Sequence, residues 1–470
     1  MNSEYRNNLV DITPDVRLLR VLRNSGFNMQ TAMGELLDNS VDAGARDIEV
    51  YTYINNLQKK NILVIDNGKG MSESTLHHSL TLAKELKVGI DQLGKYGMGM
   101  KTAALCITPQ FEILTKTISG DILFGEFNIN KMESLGEFKT NVRKANDEEV
   151  IFFKSKLGKR TRSGTILILK NCDNYDISFT TFVKQMEQFI GLTYKNFISK
   201  GISFSVNDMP VKGKIIEGID PLMLDLEETY VVAQREAVPV EYQDAAGHKK
   251  TTFIEVSASV VPKPDPNGKG KIFNGKNLKL PINQTNQGVY FYREGRMVGK
   301  ALTWNDVYGE RHNAKNRFRI EINCKSDLDN EIRMNFQKGN VAPTKFLKSQ
   351  ISEIIQPMMV EMRNRLKLEG GIPVFEERKK ATKNRKTDKA NINQVKPKTY
   401  KMIVNNKHRK LARLNEIQQQ VSHTGFNMNE LLSAAFTINK LLQDSSVPEE
   451  VKERLQEALG FEKEALIASI

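Results

Sequence analysis

The stretch 31–47, TAMGELLDNSVDAGARD, constrains this chain more than any other. Ala32, Met33, Leu36, Leu37, Ser40 and Val41 recur at helical spacing and predict an amphipathic helix with one face on a core. Gly44 stands where a left-handed C-terminal cap is wanted. Glu35 and Asn39 are four residues apart and share a face. A carboxylate stacked on a carboxamide suits one chemistry well. The amide oxygen ligates a hard cation such as magnesium, and the carboxylate orients and deprotonates a water beside it. The same spacing fits an ordinary helix with a solvated Glu and Asn, so the choice rests on the rest of the chain.

A short helix is expected over 14–24, with Pro14 in its first turn. Strands are expected over 48–55 and over 61–66 (NILVID), the second apolar enough to be largely buried. It runs into Asp66-Asn67-Gly68-Lys69-Gly70-Met71, where glycines permit a tight loop. An Asp at the end of a buried strand can accept a hydrogen bond from an exocyclic amine; the alternative is a plain DNG hairpin turn. Ser72 is placed to cap a helix over 72–83. The polar segment 84–92 has the composition of a lid. It leads into Gly94-Lys95-Tyr96-Gly97-Met98-Gly99-Met100-Lys101, whose glycines open the apolar run TAALCI. Bare amides at a helix N-terminus make an anion site. Residues 89–96 nearly fit a P-loop, but Tyr96 stands where a magnesium-binding Ser or Thr is required and no buried strand precedes Gly89, so that motif is rejected. Strands are expected over 111–117 and 122–129. The polar stretch 131–162 shows little core pattern, and Ser163-Gly164-Thr165 opens a strand over 166–169. A helix over 179–198 and a strand over 202–207 complete the segment. Helices followed by a mostly antiparallel sheet predict an α/β two-layer sandwich.

Glu35-x-x-x-Asn39, Asp66-x-Gly68-x-Gly70, Gly94-x-x-Gly97-x-Gly99 and Gly164-Thr165 occur in that order. Together they resemble the four ATP-binding boxes of the GHKL superfamily (gyrase, ninety-kilodalton heat-shock chaperones, histidine kinases, MutL), whose nucleotide pocket is the Bergerat fold. The resemblance covers about residues 10–210. It implies ATP and Mg2+ as ligands, Glu35 as general base for the attacking water and Asn39 as magnesium ligand. It implies that Asp66 reads the adenine amine, that Gly70 and Thr165 line the base pocket, that Gly97, Met98 and Gly99 lie against the phosphates, and that Gly68, Met71, Gly94, Lys95, Tyr96, Met100 and Lys101 also belong to the nucleotide site. The box GKYGMGMK looks most like the MORC group and its prokaryotic relatives. A gyrase is disfavoured by length, and a sensor kinase by His77 and His78 lying inside the ATP domain.

A chain of 470 residues exceeds one ordinary core. Four parts are expected: an ATP-binding domain 1–211, a second α/β domain with a terminal helix 212–371, a basic linker 372–413 and an acidic helical tail 414–470. In the second domain, strands are predicted over 253–261, 289–293 and 317–323. Glu294-Gly295-Arg296 is read as a hairpin turn, 262–279 as a surface loop, and 346–368 as a helix kinked near Pro357. In GHKL machines this domain resembles a ribosomal-protein fold, acts as transducer and sends one lysine to the terminal phosphate. By that resemblance Lys338, in Met334-Asn335-Phe336-Gln337-Lys338-Gly339-Asn340, is the sensor; otherwise it is a surface lysine in a glycine turn. Arg311 and His312 are lesser candidates, read as surface.

The net charge of +13 is concentrated. Residues 378–413 hold fourteen Lys and Arg, from Arg378 to Arg413, against one acid, Asp388, and the remainder of the chain is neutral. That segment is expected to contact double-stranded DNA through phosphate counterion release; Tyr400 is nearly alone in it, so it lacks the aromatic interleaving that stacks on single strands. The tail carries nine acids and four bases and is expected to dock on a protein partner, a second copy or the body. No apolar run is long enough for a bilayer, the N-terminus has no secretion signal, and Cys106, Cys172 and Cys324 lack metal-binding spacing. A cytoplasmic, reducing location without membrane contact is therefore expected. The function expected is a Mg-dependent ATPase working as an ATP-gated homodimeric clamp, on DNA by the MORC likeness. The rivals are a chaperone-like ATPase with protein clients and an ATP-binding switch or scaffold in a multi-protein system such as anti-phage defence.

Overall fold

The computed structural model describes residues 14–24, 26–82, 93, 99–158, 162–208, 214–244, 247–304, 307–334 and 337–370. The described chain falls into two compact units. The first comprises Met1–Ala233 with Ser257–Met359, and the second Gln234–Val256 with Val360–Ile470. The lid segment, the residues Gly94 to Met98, the basic segment and the acidic tail lie outside the described residues, apart from Leu93.

The first unit opens with helices α1 (Leu18–Leu22) and α2 (Met29–Asp42) and strands β1 (Asp47–Ile54) and β2 (Lys60–Asp66). Helices α3 (Glu73–Leu80) and α4 (Gly99–Ile107) follow, then β3 (Gln110–Lys116), β4 (Leu123–Asn128), α5 (Ile129–Leu135), β5 (Val142–Lys144), α6 (Asp147–Leu157) and β6 (Gly164–Lys170). Helices α7 (Phe179–Thr193) and α8 (Lys195–Ser199) lead to β7 (Ser203–Asp208) and β8 (Lys214–Ile215). The strands form one eight-stranded sheet in the order β5-β4-β3-β6-β2-β1-β7-β8. β1 and β7 pair in parallel; the neighbouring pairs on either side are antiparallel.

The buried strands alternate between two cores, as a period of two requires. Ile62 and Val64 of β2 and Leu167 and Leu169 of β6 join α2, α4 and α7 in the larger core. Leu63, Ile65, Ile166 and Ile168 face the other side and pack with Phe153 of α6. The mixed α/β architecture is therefore the expected one, with a helix on the second face that the polar composition of 131–162 concealed. Helix α1 begins only at Leu18, four residues after Pro14, while Asp15 takes the Arg17 backbone N–H at 2.8 Å. Helix α2 starts at a capping box, Asn28 with Thr31, and ends before Gly44 at φ +73°.

A five-stranded sheet follows in the order β14-β13-β15-β10-β9. Its strands are β9 (Tyr230–Gln243), β10 (Lys249–Val260), β13 (Gly288–Arg293), β14 (Arg296–Met297) and β15 (Phe318–Cys324), with a small ribbon of β11 (Ile272–Phe273) and β12 (Lys276–Asn277) between. β13 runs parallel to β15 and antiparallel to β14. Glu294 and Gly295 both hold positive φ, the geometry of a two-residue hairpin, which makes Arg296 the first residue of the returning strand. Helices α9 (Asp329–Ile332) and α10 (Lys345–Glu369) complete the described fold, α10 continuing through Pro357. In the second unit, β9 and β10 meet at a turn where Asp244 accepts from Gly247 N–H at 2.9 Å. No helix among the described residues is long and apolar enough to cross a membrane.

Candidate active site

Helix α2 presents Glu35 and Asn39 as the spacing predicts, but to different surroundings. Glu35 is buried, whereas Asn39 is exposed. The Asn39 amide nitrogen donates to the Glu35 carbonyl at 2.7 Å, which directs its oxygen elsewhere. Among the described residues no cluster of His, Cys, Asp and Glu is fit to hold a metal. A lone exposed amide oxygen fits Mg2+, which keeps several waters and takes phosphate oxygens for the rest of its shell.

Lys338 reaches Glu35 from the far end of the sequence. Its ammonium lies 2.8 Å from Glu35 Oε1 and 2.7 Å from Asp38 Oδ2. It is buried, not the surface lysine of the alternative reading. Its backbone is left-handed, φ +49°, a conformation that costs a non-glycine residue about 1 kcal/mol. Arg296 adds a second cation, its Nε donating to Asp38 Oδ1 at 2.7 Å. The Tyr194 hydroxyl lies 2.7 Å from the same oxygen and 2.9 Å from the Gly34 carbonyl. Two carboxylates and two cations thus meet in a buried group of zero net charge.

The electrostatics follow from this arrangement. Burial pushes the Glu35 carboxyl above its ordinary range; Lys338 opposes the push, Asp38 adds to it and Arg296 opposes it again. Burial would raise Asp38 too, but Arg296 and Lys338 together outweigh it and hold the carboxyl below its usual value. Gly99, the first residue of α4, sits so close that a methyl group there would overlap Glu35 Oε2.

At the other end of the site, Asp66 closes β2 and lies opposite Thr165 of β6. It is buried, accepts the Gly68 N–H at 2.9 Å and the Ser40 hydroxyl at 3.0 Å, and is nevertheless pushed up to about 6 by burial. Thr165 and Thr115 place their hydroxyl oxygens 3.0 Å apart, and Thr115 accepts the Met71 N–H at 2.9 Å. Asp66, Gly68, Met71 and Thr165 are therefore brought together, with Gly70 in the same turn. Gly70 holds φ +66°, and a methyl group there would overlap the Lys116 carbonyl oxygen. Gly70→Ala is accordingly expected to lower the free energy of unfolding by at least ~2 kcal/mol, measured by urea denaturation.

The remaining glycine-box positions divide. Met100 is half-buried, and Lys101 turns into the protein, donating to the Ser79 carbonyl at 2.8 Å, while burial pulls its ammonium down to about 8. Gly94, Lys95, Tyr96, Gly97 and Met98 lie outside the described residues. Arg311 and His312 are exposed, with Arg311 donating to the Ala301 carbonyl at 2.7 Å. Sequence reasoning missed Asp38, Tyr194 and Arg296. One signal was present: Glu35 and Asp38 are like charges on one turn of a helix, an arrangement that needs cations from elsewhere.

Residues 27–160 match the family described as histidine kinase-, DNA gyrase B-, and HSP90-like ATPase. Among curated proteins, the chain is 26% identical over 226 residues to the chaperone protein HtpG of Oceanobacillus iheyensis, covering 42% of this chain and 33% of that protein. It is 33% identical over 116 residues to the ATPase morc-1 of Caenorhabditis elegans, covering 24% of this chain and 13% of the relative. It is 39% identical over 79 residues to the DNA mismatch repair protein MutL of Borreliella afzelii, covering 15% and 13%. The matched region spans a third or less of each relative's length. The match over 27–160 includes Glu35, Asn39, Asp66 and the whole glycine box, and this chain accordingly carries an ATPase domain of the histidine kinase-, gyrase- and HSP90-like (GHKL) family.

Proposed function

We propose that the chain is a Mg-dependent ATP hydrolase working as an ATP-gated dimeric clamp on duplex DNA. The observation that carries this reading is the buried Lys338 ammonium at 2.8 Å from Glu35, which joins the candidate base to a cation from a distant part of the chain. Glu35 accepts the proton of the attacking water, its raised affinity for protons suiting it to that task. Asp66 accepts the adenine amine between Gly68, Gly70, Met71 and Thr165. Asn39 would hold Mg2+, which supplies charge neutralisation at the phosphates when bound. The glycine box from Gly94 to Lys101 offers backbone amides to the phosphates. Lys338 exchanges part of its contact with Glu35 for the terminal phosphate and stabilises charge as transfer proceeds.

In this reading 1–211 is the nucleotide-binding domain and 212–371 a transducer with a terminal helix. Two copies close as a homodimer when nucleotide binds. The basic linker 372–413 supplies duplex DNA contact through 378–413, and the acidic tail 414–470 a protein contact. A cytoplasmic location suits three buried free thiols, Cys106, Cys172 and Cys324. The longer match to the chaperone HtpG favours a second reading, an ATPase acting on protein clients. Steady-state turnover with magnesium separates the two, with and without duplex DNA, at low and moderate salt, for the full chain and one ending after Phe375. Stimulation by DNA that vanishes on truncation or added salt is expected. Turnover that ignores DNA and rises with an unfolded protein would transfer the chain to the second reading.

A further inference from the structure

Asp38 fills a position that the first box, Glu35-x-x-x-Asn39, leaves unspecified, yet both of its carboxylate oxygens are engaged. Oδ1 is used by Arg296 Nε and the Tyr194 hydroxyl, Oδ2 by the Lys338 ammonium, each at 2.7 Å. Arg296 is in turn fixed from behind, its Nη1 donating to the Met297 carbonyl at 3.0 Å. Gly34 gives the guanidinium room, since a methyl group there would overlap Arg296 Nη2. Asp38 is thus a rigid acceptor, held through Oδ1 by Arg296 and Tyr194 and offering Oδ2 to Lys338, whose ammonium also lies 2.8 Å from Glu35.

A lysine that faced Glu35 alone would form a closed ion pair and occupy the oxygen needed for a water proton. A lysine shared between two carboxylates is held in place and leaves Glu35 the weaker partner. We propose that Asp38 is a positioning residue for Lys338: anchored by Arg296 and Tyr194, it keeps the ammonium beside the candidate base without surrendering that base to it. The inference rests on the ATPase reading for its consequence and on the four side chains for its geometry.

Two measurements test it, one of them independent of turnover. Without nucleotide, the side-chain ammonium signal of Lys338 in 15N NMR spectra, assigned by its disappearance in Lys338→Met, is expected to exchange slowly with water. Asp38→Asn is expected to accelerate that exchange at least ~10-fold, because one of the two acceptors becomes neutral. With ATP, Asp38→Asn is expected to lower kcat by about 100-fold, the size of effect that misplacing a catalytic group by an ångström produces. KM is expected to stay within about twofold, since the adenine contacts lie on β2 and β6 and kcat alone carries the loss. In a Lys338→Met background the same substitution is expected to change kcat no further. If Asp38→Asn does not fold, Asp38→Glu, which keeps the charge but moves the oxygens by one methylene, is read for the same exchange rate and kcat. An unchanged ammonium signal overturns the proposal. So does a loss of kcat that persists in the Lys338→Met background, or a KM that rises with it, since both mark a merely structural role. Wild-type protein that binds ATP without turning it over would sink the ATPase reading, while the NMR measurement still decides this one.

Discussion

Glu35→Gln is expected to reduce ATP turnover by about a thousandfold while leaving nucleotide binding intact. Glutamine fills the same space but accepts no proton, so it removes the general-base contribution and little else. Glu35 is buried, and its proton affinity is raised mainly by that burial. A carboxylate with raised proton affinity suits the proposed role of accepting a proton from water better than an exposed glutamate does. Phosphate release measures the first effect and equilibrium binding of a nonhydrolysable nucleotide the second; turnover at the wild-type rate would place the base elsewhere. The neighbouring cation gives a contrasting result. Lys338→Met leaves two buried carboxylates, Glu35 and Asp38, beside one guanidinium, that of Arg296, which is paired with Asp38. Removing one partner from a buried ion-paired group costs about 3–5 kcal/mol. Urea unfolding without nucleotide should therefore rank Lys338→Met well below Glu35→Gln, in which Lys338 keeps Asp38.

Asp66→Asn is expected to do two opposite things. Its carboxyl is pushed from the ordinary 3.8 to about 6 by burial, so the folded protein holds this proton more tightly than the unfolded chain does. The group favours folding most below about 3.8, and that contribution is lost as pH rises through about 6, because ionisation must then occur in a buried place. A displacement of about two pH units corresponds to roughly 3 kcal/mol at most. Asparagine never ionises, and its amide can still accept the Gly68 N–H and face the Ser40 hydroxyl. The variant should be more stable than wild type above pH 7 by up to that amount, with the difference fading toward pH 4 in urea titrations. Nucleotide binding should weaken about 10- to 100-fold, the worth of a hydrogen bond to a charged acceptor. A variant no more stable at pH 8 than at pH 4, relative to wild type, would show that Asp66 is better solvated than its burial implies.

Local patterns were legible and distant ones were not. Helix α2, the buried strand β2 with its glycine turn, and β6 after Ser163-Gly164-Thr165 can be read from periodicity and turn chemistry, because each is decided by neighbours in sequence. Helix α6 was concealed by its composition: it buries only Phe153, although Asn146 and Glu149 form a capping box that announces its start. Strand β9 was concealed by Pro239 and the charges at Arg235, Glu236 and Glu241, all tolerable because β9 is the last strand of its sheet. The helix expected over 179–198 breaks at Tyr194, whose hydroxyl turns onto Asp38. For Asp38 the local sequence signals only a need for cations, not which ones, since its partners Tyr194, Arg296 and Lys338 stand 156, 258 and 300 residues further on.

That separation bears on how the protein is made. During synthesis Glu35 and Asp38 emerge first, two like charges on one helical turn, and the cations that neutralise them follow hundreds of residues later. Until Arg296 and Lys338 arrive, α2 can bury those carboxyls only by protonating them. The charge cluster is therefore unfinished when the last strand of the first sheet leaves the ribosome, and it stays so until Arg296 and Lys338 have folded onto α2. A fragment cut after residue 211 would preserve that immature state, since it holds Glu35 and Asp38 but neither Arg296 nor Lys338.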